Sequence, residues 1–135
     1  MFSFHHVALS VRDLEVSIEF YGLFGFKPVF RWQADDKMVS IVHLKQGQTI
    51  LELFCFKHAV AAPQTSQQLA TDLPRIGIKH FGIKVADIHA VRPLLQVLGF
   101  SEDVEILQGK TGIEYFFIKD PSGIMVEVVQ DDRKL

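Results

Sequence analysis

An internal repeat with an offset of 74 residues constrains this chain more than any other feature of its sequence. The segment HVALSVRD, which begins at His6, aligns with HFGIKVAD, which begins at His80. Each copy is a histidine, an alternating apolar pattern typical of a strand, and an aspartate. The Gly-Phe pairs that begin at Gly25 and Gly99 keep the same offset. The chain is therefore predicted to contain two copies of one structural module.

A helix is predicted after the first strand of each module. Asp13 and Asp87 precede these segments, and an aspartate can accept hydrogen bonds from the first free amides of a helix. Gly25 and Gly99 follow them, and glycine easily adopts the left-handed conformation that closes a helix. The apolar residues at helical spacing are Leu14, Ile18 and Tyr21 in the first helix and Ile88, Val91, Leu95 and Leu98 in the second.

Three further strands are predicted in each module. They cover about residues 28–34, 37–45 and 49–54 in the first module and about 103–107, 113–119 and 123–129 in the second. Turn signals such as Asp120-Pro-Ser-Gly123 separate them. Each half is thus a βαβββ module, and the fold class is α+β. We expect a single domain, 1–135, with module one at about 4–56, a linker at about 57–76 and module two at about 77–131.

The linker is longer than most connections between structural elements. Linkers of this length often act as lids or binding loops. A plain tether with a short helical turn near residues 67–72 fits the same residues equally well.

Four polar residues at matching places in the repeat are predicted to share one kind of face. Side chains alternate along a strand, so His6 and His80 point away from the apolar residues that lie under each helix. Glu52 and Glu127 interrupt apolar strands and point the same way. Carboxylates that converge on a sheet face repel each other unless a cation lies between them. We therefore predict that His6, Glu52, His80 and Glu127 bind one divalent metal ion.

The types of the predicted ligands limit which metal ions are expected. Two imidazole nitrogens and two carboxylate oxygens form a borderline donor set, which suits Zn, Ni, Co, Mn or Fe(II) better than Ca. The other histidines in the repeat region, His5, His43, His58 and His89, have no repeat partner and are interpreted as packed or hydrogen-bonded residues. His5 is an alternative ligand to His6, because a shift of one residue in the strand register would place His5 on the ligand face instead. Cys55 is interpreted as a core residue, since no base is paired with it.

The motifs HVALSVRD, ILELF, KHFGIKVAD and DPSGIMVEV resemble those of the vicinal oxygen chelate superfamily, which includes glyoxalase I, bleomycin resistance proteins and dioxygenases. The resemblance runs from Phe4 to about Gln130 and is greatest to bacterial lactoylglutathione-lyase-like proteins. It implies a curved, half-barrel sheet with the metal inside and the helices outside. It places the family's four ligand positions on the same two histidines and two glutamates, and it implies a homodimer. The two modules could pack within one chain, or exchange so that the ligand pair of module one meets the pair of module two of a partner.

The resemblance also implies a reaction. Members of this superfamily use the metal to stabilise an enolate or oxyanion. It implies that Glu127 is the catalytic base and that Glu52 is the second catalytic carboxylate. A glyoxalase-like lyase or isomerase that acts on a small oxo or thioester substrate is therefore expected. Aromatic residues that could line its pocket are Trp32, Phe54, Tyr115, Phe116 and Phe117.

Other functions stay open. An acyl-CoA epimerase would need a basic rim, for which Arg75, Lys79 and Lys84 are the candidates. A dioxygenase, a thiol transferase and a non-catalytic binding protein are further alternatives. Glyoxalase I recognises glutathione with arginine and asparagine, but this chain has no asparagine, and its candidate arginines Arg12, Arg31 and Arg75 match no motif.

Composition excludes some partners. Formal net charge is -2, and the 14 lysines and arginines form no cluster, so nucleic acid and anionic membranes are not expected partners. No apolar run approaches the roughly 20 residues of a membrane-spanning helix. A single cysteine cannot form an internal disulfide, which favours a reducing compartment. We expect a soluble cytoplasmic protein whose partner is a small molecule.

Overall fold

The computed structural model describes residues 1–100 and 104–135. They form two compact units, Met1–Ala61 and Ala62–Leu135. The boundary between the units lies within the predicted linker, and the expectation of a single domain stays a prediction.

The first unit has the predicted βαβββ order. Its elements are β1 (His6–Ser10), α1 (Leu14–Gly22), β2 (Lys27–Gln33), β3 (Val39–Gln46) and β4 (Thr49–Phe56). They form a four-stranded sheet in the order β1-β4-β3-β2. Strand β1 is parallel to β4, and the other two strand pairs are antiparallel. The first and last strands of the module are therefore neighbours.

The second unit repeats this order. It begins with a 3-10 turn, Gln64–Gln67, and a short helix α2 (Leu69–Asp72), and continues with β5 (Phe81–Lys84), α3 (Ile88–Val97), β6 (Leu107–Gln108), β7 (Glu114–Lys119) and β8 (Met125–Gln130). The sheet order is β5-β8-β7-β6, which matches that of the first unit. The two mixed sheets and few helices confirm the predicted α+β class with two βαβββ modules.

Strand β6 corrects one prediction. It was expected at about 103–107, but it comprises only Leu107 and Gln108, which pair with Tyr115 and Glu114. Asp103 lies outside the described residues. The amide of Gly109 donates to the carbonyl of Ile113 at 2.7 Å, and this turn sets the register of the two strands. The apolar alternation in the sequence therefore placed the strand too early.

The helix boundaries follow the predicted signals. Asp13 and Asp87 each accept a hydrogen bond at 3.0 Å from the backbone amide three residues later. Gly25 and Gly99 adopt positive φ angles of 88° and 77° after the helices end. Both modules therefore start and close their helices in the same way, as the repeat predicts.

The buried faces agree with strand alternation. Among the described residues, the buried apolar side chains are Leu9, Val11, Phe20, Tyr21, Phe26, Val42, Leu44, Leu51 and Leu53 in the first unit and Ile83, Ile88, Leu95, Phe116, Ile118, Val126 and Val128 in the second. Leu98, one of the apolar residues at helical spacing, is the C-cap residue of α3 and is 50% exposed. On α1 the buried residues are Ser17, Phe20 and Tyr21, whereas Leu14 and Ile18 are only half-buried.

The linker contains a helical turn near the predicted position. Asp72 at the end of α2 accepts hydrogen bonds from Ser66 and Arg75, and Nζ of Lys119 in β7 donates to the carbonyl of Gln67 at 2.9 Å. These contacts tie the segment to the second unit. Among residues 1–100 and 104–135, no helix has the length and apolar character required to cross a bilayer.

Candidate metal centre

Strands β1 and β4 bring the first predicted ligand pair together. Because the two strands are parallel and Ala8 lies opposite Glu52, His6 is held close to the same carboxylate. Leu51 and Leu53 point to the buried side, so Glu52 points away from it. Nε2 of His6 lies 3.5 Å from Oε1 of Glu52. The structure thus confirms the predicted face for both residues.

The second unit holds the matching pair in the same way. His80 immediately precedes β5, and Gly82 lies opposite Glu127 in β8. Val126 and Val128 are fully buried, so Glu127 again points to the other side of the sheet. Nε2 of His80 lies 3.4 Å from Oε2 of Glu127. The two carboxylates are similarly accessible, with 19% and 17% of their side chains exposed.

The spacing within each pair is compatible with two ligands on one ion. A hydrogen bond between a ring nitrogen and a carboxylate normally measures about 2.7–3.2 Å, so 3.4 and 3.5 Å are long for one. Two donors that each lie about 2.1 Å from a tetrahedral metal ion are about 3.4 Å apart. The residues of each pair therefore fit a divalent metal such as Zn.

The two pairs are found in separate units. Within either stretch that the structure describes, no group of three or more histidine, cysteine, aspartate or glutamate side chains is arranged to hold a metal. The binding of one ion by all four residues stays a prediction.

His5 is a neighbour of the predicted ligand His6 and contacts its ring. The Nδ1 atoms of the two rings lie 2.9 Å apart, so one of them carries the shared proton. If His6 binds a metal through Nε2, its proton must be on Nδ1, and His6 then donates to His5. The structure places His6, and not His5, beside Glu52. His5, the alternative to His6 in the sequence analysis, thus contacts the ring of the predicted ligand.

His43, interpreted from the sequence as a packed or hydrogen-bonded residue, forms a hydrogen bond with the predicted ligand Glu52. It lies opposite Glu52 in the antiparallel β3–β4 ladder, and its Nε2 lies 2.7 Å from Oε2 of Glu52. An ionised carboxylate can only accept hydrogen bonds, so His43 is the donor. The ring of Phe30 packs against His43 with its centroid 5.4 Å away. Both oxygens of Glu52 therefore face a histidine nitrogen.

Comparison of the two repeats did not indicate His43, because the equivalent residue in the second unit is Phe117. Phe117 lies opposite Glu127, as His43 lies opposite Glu52. One signal in the sequence could have found it. Strands β3 and β4 are joined by the tight turn at Gly47-Gln48, and residues equally far from such a turn face each other.

Three of the predicted carboxylate-binding cations already lie beside a carboxylate of the protein. Arg31 donates to both oxygens of Glu15 at 2.6 and 3.3 Å, and this hydrogen bond lowers the pKa of Glu15. Nε and Nη2 of Arg75 lie 3.0 and 2.9 Å from Oδ1 of Asp72, and Nζ of Lys79 lies 3.8 Å from the same oxygen. Burial raises the pKa of Asp72, but the hydrogen bond and charge of Arg75 and the charge of Lys79 outweigh it and hold that pKa below its usual value.

Most of the aromatic residues predicted to line a pocket lie on the carboxylate faces. Trp32 is opposite Ile41, which is opposite Phe54, and this row shares the face of Glu52. Tyr115 lies two residues before Phe117 in β7 and shares the face of Glu127. Phe116 is wrong as a pocket residue, because alternation turns it to the buried side, where it is 1% exposed.

Two other features lie apart from the ligand pairs. Cys55 is half-buried and not fully in the core, and its Sγ lies 3.5 Å from the carbonyl of Arg12. A hollow of about 400 Å³ in the first unit is bordered by α1, β2 and β3. Its lining residues are Leu14, Glu15, Arg31, Trp32, Gln33, Ser40, Ile41 and Val42. None of the predicted ligands lines this hollow.

Similar proteins of known structure share this architecture. A glyoxalase family protein from Enterococcus faecalis is 26% identical, with 94% of this chain and 96% of that chain covered and a TM-score of 0.75. A lactoylglutathione lyase from Agrobacterium tumefaciens is 24% identical, with 95% and 92% covered and a TM-score of 0.62. A glyoxalase I mutant from Zea mays is 22% identical with a TM-score of 0.73, and 96% of this chain corresponds to 45% of that chain. No curated protein matches the chain.

The family model described as the Glyoxalase/Bleomycin resistance protein/Dioxygenase superfamily matches residues 3–128. That match includes both histidine–glutamate pairs and both βαβββ units, with β8 up to Val128. The chain therefore belongs to the glyoxalase, bleomycin resistance protein and dioxygenase superfamily.

Proposed function

We propose that this protein is a divalent-metal-dependent lyase or isomerase of glyoxalase type. The observation that carries the proposal is the spacing of the two repeat-related pairs, 3.5 Å in the first unit and 3.4 Å in the second. The proposed ligands are His6, Glu52, His80 and Glu127. The metal is Zn, Ni, Co, Mn or Fe(II), which suit a donor set of this kind.

When bound, the metal would polarise the oxo group of the substrate and stabilise the enolate that forms from it. Glu127 takes a proton from the carbon beside that oxo group, and the electron pair of the broken C–H bond remains on the substrate. Glu127 then delivers the proton to the former oxo carbon and regains its charge, while the hydroxyl proton of the first carbon passes to the oxygen of the second, so that the hydroxyl and oxo groups exchange places. Among the described residues, its contact is to His80 through Oε2, and no hydrogen bond holds Oε1. A carboxylate oxygen without a protein donor is suited to accept a proton.

The charges around the two units favour a small substrate. Arg31 and Arg75 are paired with the protein's own carboxylates, which leaves less positive charge for the carboxylates of glutathione. Lys79 shares Asp72 with Arg75, which weakens the basic rim expected for coenzyme A. The aromatic side chains on the carboxylate faces suit an apolar part of the substrate. We therefore place an α-oxo compound or its hemithioacetal ahead of an acyl-CoA.

Metal analysis of protein purified without chelator tests the ligand set. We expect about one divalent ion per chain in the wild type. His6→Ala and Glu127→Gln should each lower occupancy, whereas His58→Ala, which changes an exposed histidine outside the pairs, should not. Full occupancy in both ligand variants would overturn the assignment.

Proton exchange tests the reaction. The metal-loaded wild type is incubated in D2O with a panel of hemithioacetals and acyl thioesters, and deuterium at the carbon beside the carbonyl is measured by NMR. Exchange that is lost in Glu127→Gln supports the proposal. Metal binding without exchange on any member of the panel would contradict it and favour a binding protein. Oxygen consumption with a catechol would favour a dioxygenase instead.

A further inference from the structure

We infer that His43 is a positioning residue that holds Glu52 in place and so leaves proton transfer to Glu127. The inference rests on the proposed function. It concerns a difference between the two modules in the residue that faces the glutamate across the antiparallel ladder. The β3 residue opposite the glutamate is a histidine in the first unit, and the β7 residue opposite the glutamate is Phe117 in the second.

Both oxygens of Glu52 face a histidine nitrogen, and one of them is held by a hydrogen bond. Oε1 lies 3.5 Å from Nε2 of His6, at the spacing of a second metal ligand. Oε2 lies 2.7 Å from Nε2 of His43, which is the length of a strong, charge-assisted hydrogen bond. One oxygen can therefore face a metal while the other is held by the protein.

His43 is itself held in place. The β3–β4 ladder places it directly opposite Glu52, and the ring of Phe30 packs against it at 5.4 Å. Only 28% of its side chain is exposed. A donor fixed by both a backbone ladder and a packed ring restricts the rotation of the carboxylate that it binds.

Phe117 cannot do the same for Glu127. Its ring lies 4.8 Å from that of His80 and nearly perpendicular to it, at 84°. It therefore orients the histidine of the second pair and offers no hydrogen bond to the carboxylate. In the part of the chain that the structure describes, the polar contact of Glu127 is to His80 at 3.4 Å.

The two carboxylates are thus suited to different roles. A carboxylate with one oxygen held by a hydrogen bond, as Oε2 of Glu52 is, remains a fixed ligand through its other oxygen. A carboxylate without that bond can rotate, accept a proton from the substrate and deliver it to the adjacent carbon. The asymmetry at positions 43 and 117 therefore favours Glu127 as the mobile carboxylate.

Four variants test this inference on the full chain loaded with Co²⁺. His43→Phe removes the donor, His43→Gln keeps an amide that can donate, Phe117→His introduces a donor opposite Glu127, and His58→Ala is the control. Cobalt affinity is measured by competition with a chelator. The visible absorption of the bound ion reports its ligand geometry, and circular dichroism confirms folding.

We expect His43→Phe to weaken cobalt affinity about 10- to 100-fold and to change the visible spectrum, as loss of an outer-shell hydrogen bond does elsewhere. His43→Gln should restore most of the affinity and the spectrum. In the exchange assay, His43→Phe should lower kcat with KM nearly unchanged. Phe117→His should lower kcat at saturating cobalt, because the added donor restrains the mobile carboxylate.

The outcomes separate the two proposals. A wild type that does not bind cobalt overturns both of them. A wild type that binds cobalt but exchanges no proton contradicts the proposed reaction, while affinity and spectrum still decide the role of His43. If His43→Phe binds cobalt with the affinity and spectrum of the wild type, His43 does not position Glu52. If His43→Gln is folded and as impaired as His43→Phe, the hydrogen bond is not the cause.

Discussion

Gly82 lies directly opposite Glu127 in the parallel β5–β8 ladder, and a Cβ atom added to Gly82 would lie 3.5 Å from Oε2 of Glu127. Ala8 holds the same place opposite Glu52 in the first unit. A small residue beside each glutamate keeps the carboxylate accessible on a face where neighbouring side chains are large.

The size of residue 82 should therefore control metal binding. Gly82→Ala adds a Cβ at ordinary van der Waals distance, so we expect metal affinity within a few-fold of that of the wild type. Gly82→Leu places a branched side chain against Glu127 and should reduce affinity at least tenfold. Isothermal titration with Zn²⁺ measures both variants. Equal affinity in the leucine variant would show that this face is not the metal site.

Removal of His5 should weaken the metal site without removing a ligand. His5→Ala deletes the ring nitrogen that lies 2.9 Å from Nδ1 of His6. A partner at Nδ1 favours the tautomer that carries its proton there and leaves Nε2 available to a metal. We expect a loss of zinc affinity of about 10-fold or more, as for other partners of metal-bound histidines. His58→Ala serves as the matched control. An affinity loss as large as that of His6→Ala would indicate instead that His5 is itself the ligand.

The stability of the folded protein should depend on pH through Asp72, which lies in the linker segment. The folded protein holds the pKa of Asp72 below its ordinary value of 3.8, so the ionised carboxylate stabilises the fold above about pH 3.8. This stabilisation is lost as pH falls through the lower, folded-state pKa. Asp72→Asn should therefore lower the melting temperature at pH 7, and the difference from the wild type should shrink toward pH 2. A difference that does not change with pH would show that the charge of Asp72 is not what stabilises the segment.

The two helix caps offer a matched pair of stability variants. Asp13→Ala and Asp87→Ala each remove a 3.0 Å hydrogen bond to the third helical amide. Each should lower the free energy of unfolding by about 1 kcal/mol, the usual contribution of such a cap. Urea denaturation followed by circular dichroism measures the loss. If either variant is as stable as the wild type, the cap of that module does not contribute to stability.

Local patterns in the sequence predicted the modules and the faces of their strands. The alternation around Glu52 and Glu127 has a period of two residues, which is a property of the extended backbone itself. The caps at Asp13 and Asp87 likewise depend on residues close in sequence. For these reasons the βαβββ order and the orientation of both pairs agree with the structure.

Strand register and side-chain packing determined which polar side chains are partners. His43 reaches Glu52 only because the β3–β4 ladder sets them opposite each other, and the repeat shows a phenylalanine at that place. The pairing of Arg31 with Glu15 joins residues 16 positions apart, and no local pattern encodes it. A histidine or arginine acquires its partner from the tertiary structure, because the energy of a hydrogen bond or ion pair depends on distances that the sequence does not contain.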